Sequence, residues 1–200
     1  MNINGIMIIF INKMFKKISN EFPIFVWNNF KCISDFEKNE LMNIVLDNKK
    51  RNHSGGGGSF KIDYDPTSFF ENLYSNFLNS TVNFFGELKL KKNNSNICWS
   101  YSSNNIDHGP GMIHNHIKTS TINSVYYLNI PKSATIKNGS IQFFLNQKTF
   151  SYLPKDFDLI IFPNYLDHKI NYLNDPEYRI SINMEILCLE NSIDLFGRVN

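Results

Sequence analysis

The sequence predicts a mainly β protein with supporting α-helices, an α+β arrangement built on a jelly roll, and three observations carry that expectation. From residue 97 onward, short β-rich runs at 97–101, 123–130, 140–145, 159–162 and 178–186 are separated by turn signals. No helical stretch lies between them to make a parallel crossover, so antiparallel pairing in a sandwich or barrel is favoured over βαβ units. The first half reads differently, with apolar residues at helical intervals.

Taken in order, the chain opens on Gly5-Ile6-Met7-Ile8-Ile9-Phe10-Ile11, which is apolar but too short to span a bilayer. Its lysines, Lys13, Lys16 and Lys17, follow the run where a signal peptide would place them before it, so it is read as a first strand or helix. Ser34-Asp35-Phe36-Glu37 has capping-box spacing, and Phe36, Leu41, Ile44 and Val45 continue it as a helix to the basic end Lys49-Lys50-Arg51. A second helix starts near Ser68, with Glu71 three positions on, and carries Phe69, Phe70, Leu73, Phe77 and Phe84 before Gly86 ends it. Both should lie on the outside of a sheet. Between them Ser54-Gly55-Gly56-Gly57-Gly58-Ser59 has linker composition, compatible with a native glycine turn or an engineered loop. It is no phosphate loop, because Ser59-Phe60-Lys61 stands where Lys-Ser/Thr should follow.

With 42% hydrophobic and 14% aromatic residues, 200 residues bury one sizeable core, so a single domain is expected over 1–200. Residues 1–95 would form the helical support and first strands, and 96–190 the β core. Charge is nearly balanced, 20 Lys+Arg against 18 Asp+Glu, and no basic stripe alternates with aromatics, so neither nucleic acid nor membrane is an expected partner. Cys32, Cys98 and Cys188 are odd in number, far apart and free of any CxxC pair, which fits a reducing, cytoplasmic setting.

The candidate chemistry lies in the β half. His114-Asn115-His116 precedes the strand Ser124-Val125-Tyr126-Tyr127-Leu128-Asn129, and in an extended segment residues two apart share a face, so both imidazoles can reach one ion. His168 follows the buried-strand pattern Leu159-Ile160-Ile161-Phe162 and the turn at Pro163, which would deliver it to a sheet edge. Alternation puts Arg179, Ser181 and Asn183 on one face, where a jelly roll would otherwise bury apolar side chains. A guanidinium there needs a carboxylate or a bound anion.

These residues resemble a known pattern. The stretch 97–186 is similar to the double-stranded β-helix core (jelly roll, cupin-like) of 2-oxoglutarate/Fe(II) oxygenases, in particular the prolyl-hydroxylase-like branch. In that family a His-x-Asp pair and a distant His hold iron, and an Arg beyond the distal His binds the far carboxylate of 2-oxoglutarate. His114-Asn115-His116 falls on the first pair, His168 on the distal ligand and Arg179-Ile180-Ser181 on the family's Arg-x-Ser. Tyr126-Tyr127-Leu128-Asn129 falls on its Tyr-Leu-Asn strand, and Asn138-Gly139-Ser140-Ile141-Gln142-Phe143 follows its Gly-Gly-x-Thr-x-Phe turn in part.

The resemblance implies iron held by His114, His116 and His168, with Arg179, Ser181 and the Tyr127 hydroxyl on the co-substrate. It implies Fe(II) and 2-oxoglutarate as cofactors, dioxygen as second substrate, and hydroxylation of a C–H bond on a peptidyl side chain or a small metabolite. The RxNxTxR signature of nucleobase demethylases is absent. One departure stands out, since His116 occupies the position of the family's carboxylate. A three-histidine iron site, a site completed by a carboxylate such as Asp107, and a site without iron chemistry all fit the residues.

Taken singly, a His-x-His pair at a loop end is an ordinary surface feature, and Arg179 after Asp175 and Glu177 an ordinary surface cation. Their joint spacing favours the site. Asp167 should point away from His168 by strand alternation, His53 and His108 lack partners at metal spacing, and the phenylalanines and Trp99 read as core. A cupin-type metal dioxygenase or isomerase would usually carry a Glu soon after the pair, and 117–123 contains none. A non-enzymatic jelly-roll binding module is the other rival.

Overall fold

The computed structural model describes residues 14–51, 59–61, 69–86, 88–89, 96–102, 112–171, 173 and 175–199. The opening run 5–11, the glycine segment 54–58, His53, Asp107 and His108 lie outside the described residues. The elements are β1 (Lys16–Lys17), β2 (Phe25–Trp27), α1 (Asp35–Arg51), β3 (Ser59–Lys61), α2 (Phe69–Phe85), β4 (Asn96–Ser102), β5 (Ile122–Asn129), β6 (Ile141–Leu145), β7 (Lys148–Tyr152), β8 (Leu159–Pro163), β9 (Asp167–Ile170), β10 (Arg179–Ile186) and α3 (Ser192–Arg198). Among the described residues no helix is long and apolar enough to cross a membrane.

The strands form a major sheet in the order β1-β2-β8-β5-β10-β4-β3 and a minor sheet in the order β7-β6-β9. Every strand pair in both is antiparallel. Alternation gives the major sheet two buried faces. Ile122, Tyr126, Leu159, Ile161, Ile180, Ile182 and Met184 pack with Leu41 of α1, Leu73, Phe77 and Phe84 of α2, and Leu195 and Phe196 of α3. The opposite residues, Ile24, Val26, Val125, Tyr127, Ile160 and Phe162, pack with Ile141 and Phe143 of β6. The result is helices, major sheet and minor sheet in three layers, with a cavity between the sheets.

Both helices form where the capping and periodicity signals placed them. Ser34 donates to Glu37 Oε2 from its backbone N at 2.6 Å and from Oγ at 2.7 Å, and Glu37 N donates to Ser34 Oγ at 3.2 Å. The buried face of α1 is narrower than expected. Leu41 is fully buried, but Phe36 is 73% exposed, because the two lie about 140° apart around a helix of 3.6 residues per turn. α2 ends at Gly86 in the left-handed region, φ 82°.

Five strands escaped the sequence pattern: β1, β2, β3, β7 and β9. They have two to five residues each, and β7 is largely polar, so little period-2 signal accumulates. The β6–β7 hairpin turns on Asn146 and Gln147, both at positive φ, as a two-residue turn with the right twist requires.

Gly139 precedes β6 at φ 80°, and a Cβ there would lie 2.9 Å from Ala134 Cβ. Its carbonyl accepts from Arg179 Nε at 3.0 Å, so the turn is tied to the cavity wall. Gly86 has nearly the same φ, but a Cβ there would meet nothing within 4 Å. Gly139→Ala is therefore expected to cost roughly 1–3 kcal/mol in urea unfolding and clearly more than Gly86→Ala. Equal midpoints for the two variants would refute the packing argument.

Candidate metal centre

Backbone pairing, not side-chain chemistry, first brings the histidines together. His114 and His168 exchange two main-chain hydrogen bonds, His114 N to His168 O at 3.0 Å and His168 N to His114 O at 2.9 Å. Residues paired this way project their side chains to the same face, and the two ring centres lie 4.4 Å apart. On the outer face Asn115 Nδ2 donates to Asp167 Oδ1 at 2.8 Å, so Asp167 points away from His168 and closes the bridge from outside.

His116 is held from another side. Its N donates to Asn164 O at 2.9 Å, while Asn164 Nδ2 donates to Ser120 O at 2.7 Å and Ser192 Oγ to Asn164 Oδ1 at 2.5 Å. Asn164, just past β8, thus ties the His116 loop to the start of β5 and to α3.

The three imidazoles face one another, with their ligating nitrogens all within 4.8 Å. His114 is exposed, His116 intermediate and His168 buried, so the cluster opens to solvent on the His114 side. Each ring has one nitrogen engaged. His114 Nδ1 lies 3.0 Å from Met112 O, His168 Nδ1 3.0 Å from Leu166 O and His116 Nδ1 2.8 Å from Glu185 Oε1. Carbonyl and carboxylate oxygens only accept, so each Nδ1 carries a proton and Nε2 is the atom each ring has to offer an ion. Three imidazoles offering a nitrogen each to one point fit a divalent transition metal and leave coordination positions open. Burial, with Phe162 edge-on at 4.9 Å, pushes the His168 imidazole down to about 3, so it stays neutral at physiological pH.

A cavity of about 220 Å³ is lined by all three histidines, by Arg179, Ser181, Asn183 and Glu185 of β10, and by Tyr127. Val125, Ile141, Phe162 and Ile170 complete an apolar wall. β10 therefore has one apolar face toward the helices and one polar face toward the cavity. Arg179 is 1% exposed, its Nε donates to Gly139 O and its guanidinium carbon lies 4.9 Å from the Tyr127 ring centre. Burial pushes the Tyr127 hydroxyl up to about 12, which keeps it a phenol and hence a donor. Six residue steps along the strand separate Arg179 from Glu185, about 20 Å at the usual rise.

Glu185 is the site residue that the sequence reading missed. The stripe Arg179, Ser181, Asn183 was followed by alternation, and one further step of two reaches Glu185. Its carboxyl is held below the usual range, first by the hydrogen bond from His116.

No protein-family model matches the chain, and no curated protein matches it in sequence. Solved structures do. A prolyl hydroxylase from Trichoplax adhaerens, in complex with a hypoxia inducible factor oxygen degradation domain peptide fragment, aligns at TM-score 0.65 and 12% identity over 98% of this chain and 96% of its own. A prolyl 4-hydroxylase from Phytophthora capsici aligns at TM-score 0.65 and 12% identity, over 92% of this chain and 66% of its own. HygX from Streptomyces hygroscopicus, with nickel and 2-oxoglutarate bound, aligns at TM-score 0.58 and 7% identity, over 88% and 90%. At these identities the likeness is one of fold, that of the 2-oxoglutarate oxygenases and their double-stranded β-helix core.

The buried His168 gives the metal-stripped protein a pH signature. Its folded value, about 3, lies below the unfolded 6.5, so between these the unfolded chain binds the extra proton and stability falls as pH falls. From pH 7 to pH 5 the loss from this group is expected to be roughly 1–2 kcal/mol. Chelator-treated wild type and His168→Gln, unfolded in urea at both pH values, check it. A slope unchanged in His168→Gln would assign the loss to other groups.

Proposed function

From a fold shared with prolyl hydroxylases and other 2-oxoglutarate oxygenases, we propose that this chain is a non-haem Fe(II)- and 2-oxoglutarate-dependent dioxygenase that hydroxylates a C–H bond. The observation that carries the reading is that one cavity is lined both by three converging imidazoles and by the buried Arg179 with Ser181. A metal-only module would need the first group and not the second. A cupin-type dioxygenase would leave Arg179 and Ser181 without a task.

In this reading His114, His116 and His168 hold the iron through Nε2. Arg179 pairs with the far carboxylate of 2-oxoglutarate through its planar fork, and Ser181 and the Tyr127 hydroxyl add donors to it. Burial lowers Arg179 from its usual value, so an anion in the cavity favours the charged form it opposes. Iron held by these three histidines would supply, with 2-oxoglutarate and dioxygen, an oxidative decarboxylation giving succinate and carbon dioxide, with the second oxygen atom going to the substrate. Val125, Ile141 and Phe162 keep the co-substrate's surroundings dry, and the opening at His114 admits the substrate. The substrate is a peptidyl side chain, the choice that the peptide-bound Trichoplax neighbour favours, or a small metabolite. The protein works in the cytoplasm, where Fe(II) is kept reduced.

Iron-loaded protein under air is expected to convert 2-oxoglutarate to succinate, and chelation of the iron is expected to stop it. Titration of 2-oxoglutarate into Mn(II)-loaded protein without oxygen tests the anchor. Arg179→Gln should weaken 2-oxoglutarate at least about tenfold, as loss of a charge-assisted pair implies, and leave Mn(II) affinity nearly unchanged. Equal 2-oxoglutarate affinities, or no binding to either protein, would remove the main support for this function.

A further inference from the structure

We propose that Glu185 acts through His116 as an outer-shell carboxylate of the metal centre, restoring the negative charge that the ligand set loses by having His116 in place of an aspartate. The inference rests on the metal-site reading above. It starts from a difference among the three rings: His114 and His168 give their Nδ1 protons to backbone carbonyls, which are neutral, and His116 gives its proton to a carboxylate at 2.8 Å. The one ring with an anionic partner is the one that stands where the resembling family has its carboxylate ligand.

The partner is built in by the fold. Glu185 lies on β10 in register with Asn123 of β5, so it is fixed on the cavity face, while Met184 and Ile186 on either side are fully buried on the opposite face. The two side chains are only 22% and 18% exposed, so the pair is shielded from bulk water and its attraction is weakly screened. Glu185 is no fourth ligand, because the group of side chains whose donor atoms fall within one ion's reach holds the three histidines alone among the described residues. A carboxylate that accepts the far proton of a ligating imidazole makes the near nitrogen a stronger donor and fixes the ring. The ion then meets the charge of a two-histidine, one-carboxylate set, with the carboxylate moved one imidazole outward. Glu185 is therefore a positioning residue, and it also tunes the metal.

Binding of Co(II) and Mn(II) to the full chain, without 2-oxoglutarate, tests this. Glu185→Gln keeps the shape and an acceptor oxygen but removes the charge, and is expected to weaken both metals by about 10- to 100-fold and to shift the Co(II) ligand-field bands. Adding His116→Asp to Glu185→Gln returns a carboxylate directly to the ion, and is expected to recover most of the lost affinity. Unchanged affinity and spectrum in Glu185→Gln, or a double variant no better than the single, would overturn the proposal. A measurement on the wild type avoids dependence on folded variants. The spin-echo modulation from the remote ring nitrogens of the Cu(II)-loaded protein should show one imidazole unlike the other two, and three alike would equally overturn it. Because no 2-oxoglutarate is present, these outcomes bear on Glu185 alone, and a failed 2-oxoglutarate titration leaves them standing.

Discussion

The two-bond bridge between His114 and His168 is the constraint on which the rest of the site depends. It holds the segment before β5 against β9, and His116, two residues on, is then fixed by Asn164. The bridge makes a loop residue behave as a strand residue, sets the face on which the ring projects, and does so from main-chain groups that any residue but proline would supply. What is special to the histidines is only what they present once placed. The Asn115–Asp167 contact outside and the ring contact inside are opposite sides of the same pairing.

β10 shows how such a site is reconciled with a folded core. Its apolar face, Ile180, Ile182, Met184 and Ile186, is fully buried toward the helices, where each side chain removes apolar area from water. Its other face carries a cation, a hydroxyl, an amide and a carboxylate between two sheets, where polar groups are costly unless they find partners. Arg179 finds Gly139 O and the Tyr127 ring; Glu185 finds His116. The strand is central, flanked by β5 and β4, so neither face can shift without breaking pairing on both sides.

Much of this was legible in the sequence where a signal repeats. β-branched and aromatic runs marked β5 and β10, with period-2 alternation along β10 alone, and a capping box marked α1 to within a residue. Single features in short elements were less legible. β9 has four residues and β2 three, too few for a period, and Phe36 looked like core because apolar spacing alone does not say which part of a helix meets the sheet. His116 could be placed beside His114 by alternation, and alternation could put Glu185 on the cavity face, but not against the His116 ring. Glu185 lies far along the chain, and only strand register, which no local pattern encodes, brings it against the ring.

His114 and His168 share one further habit: each gives its Nδ1 proton to the carbonyl of the residue two before it, Met112 or Leu166. The acceptor is part of the same short stretch of backbone, so each ring is aimed by its own chain and needs no neighbour to choose its rotamer. Rings set this way have already surrendered their torsional freedom on folding, and an arriving ion has little left to order. The pocket is assembled by the polypeptide, and an ion bound there would enter a shape already made.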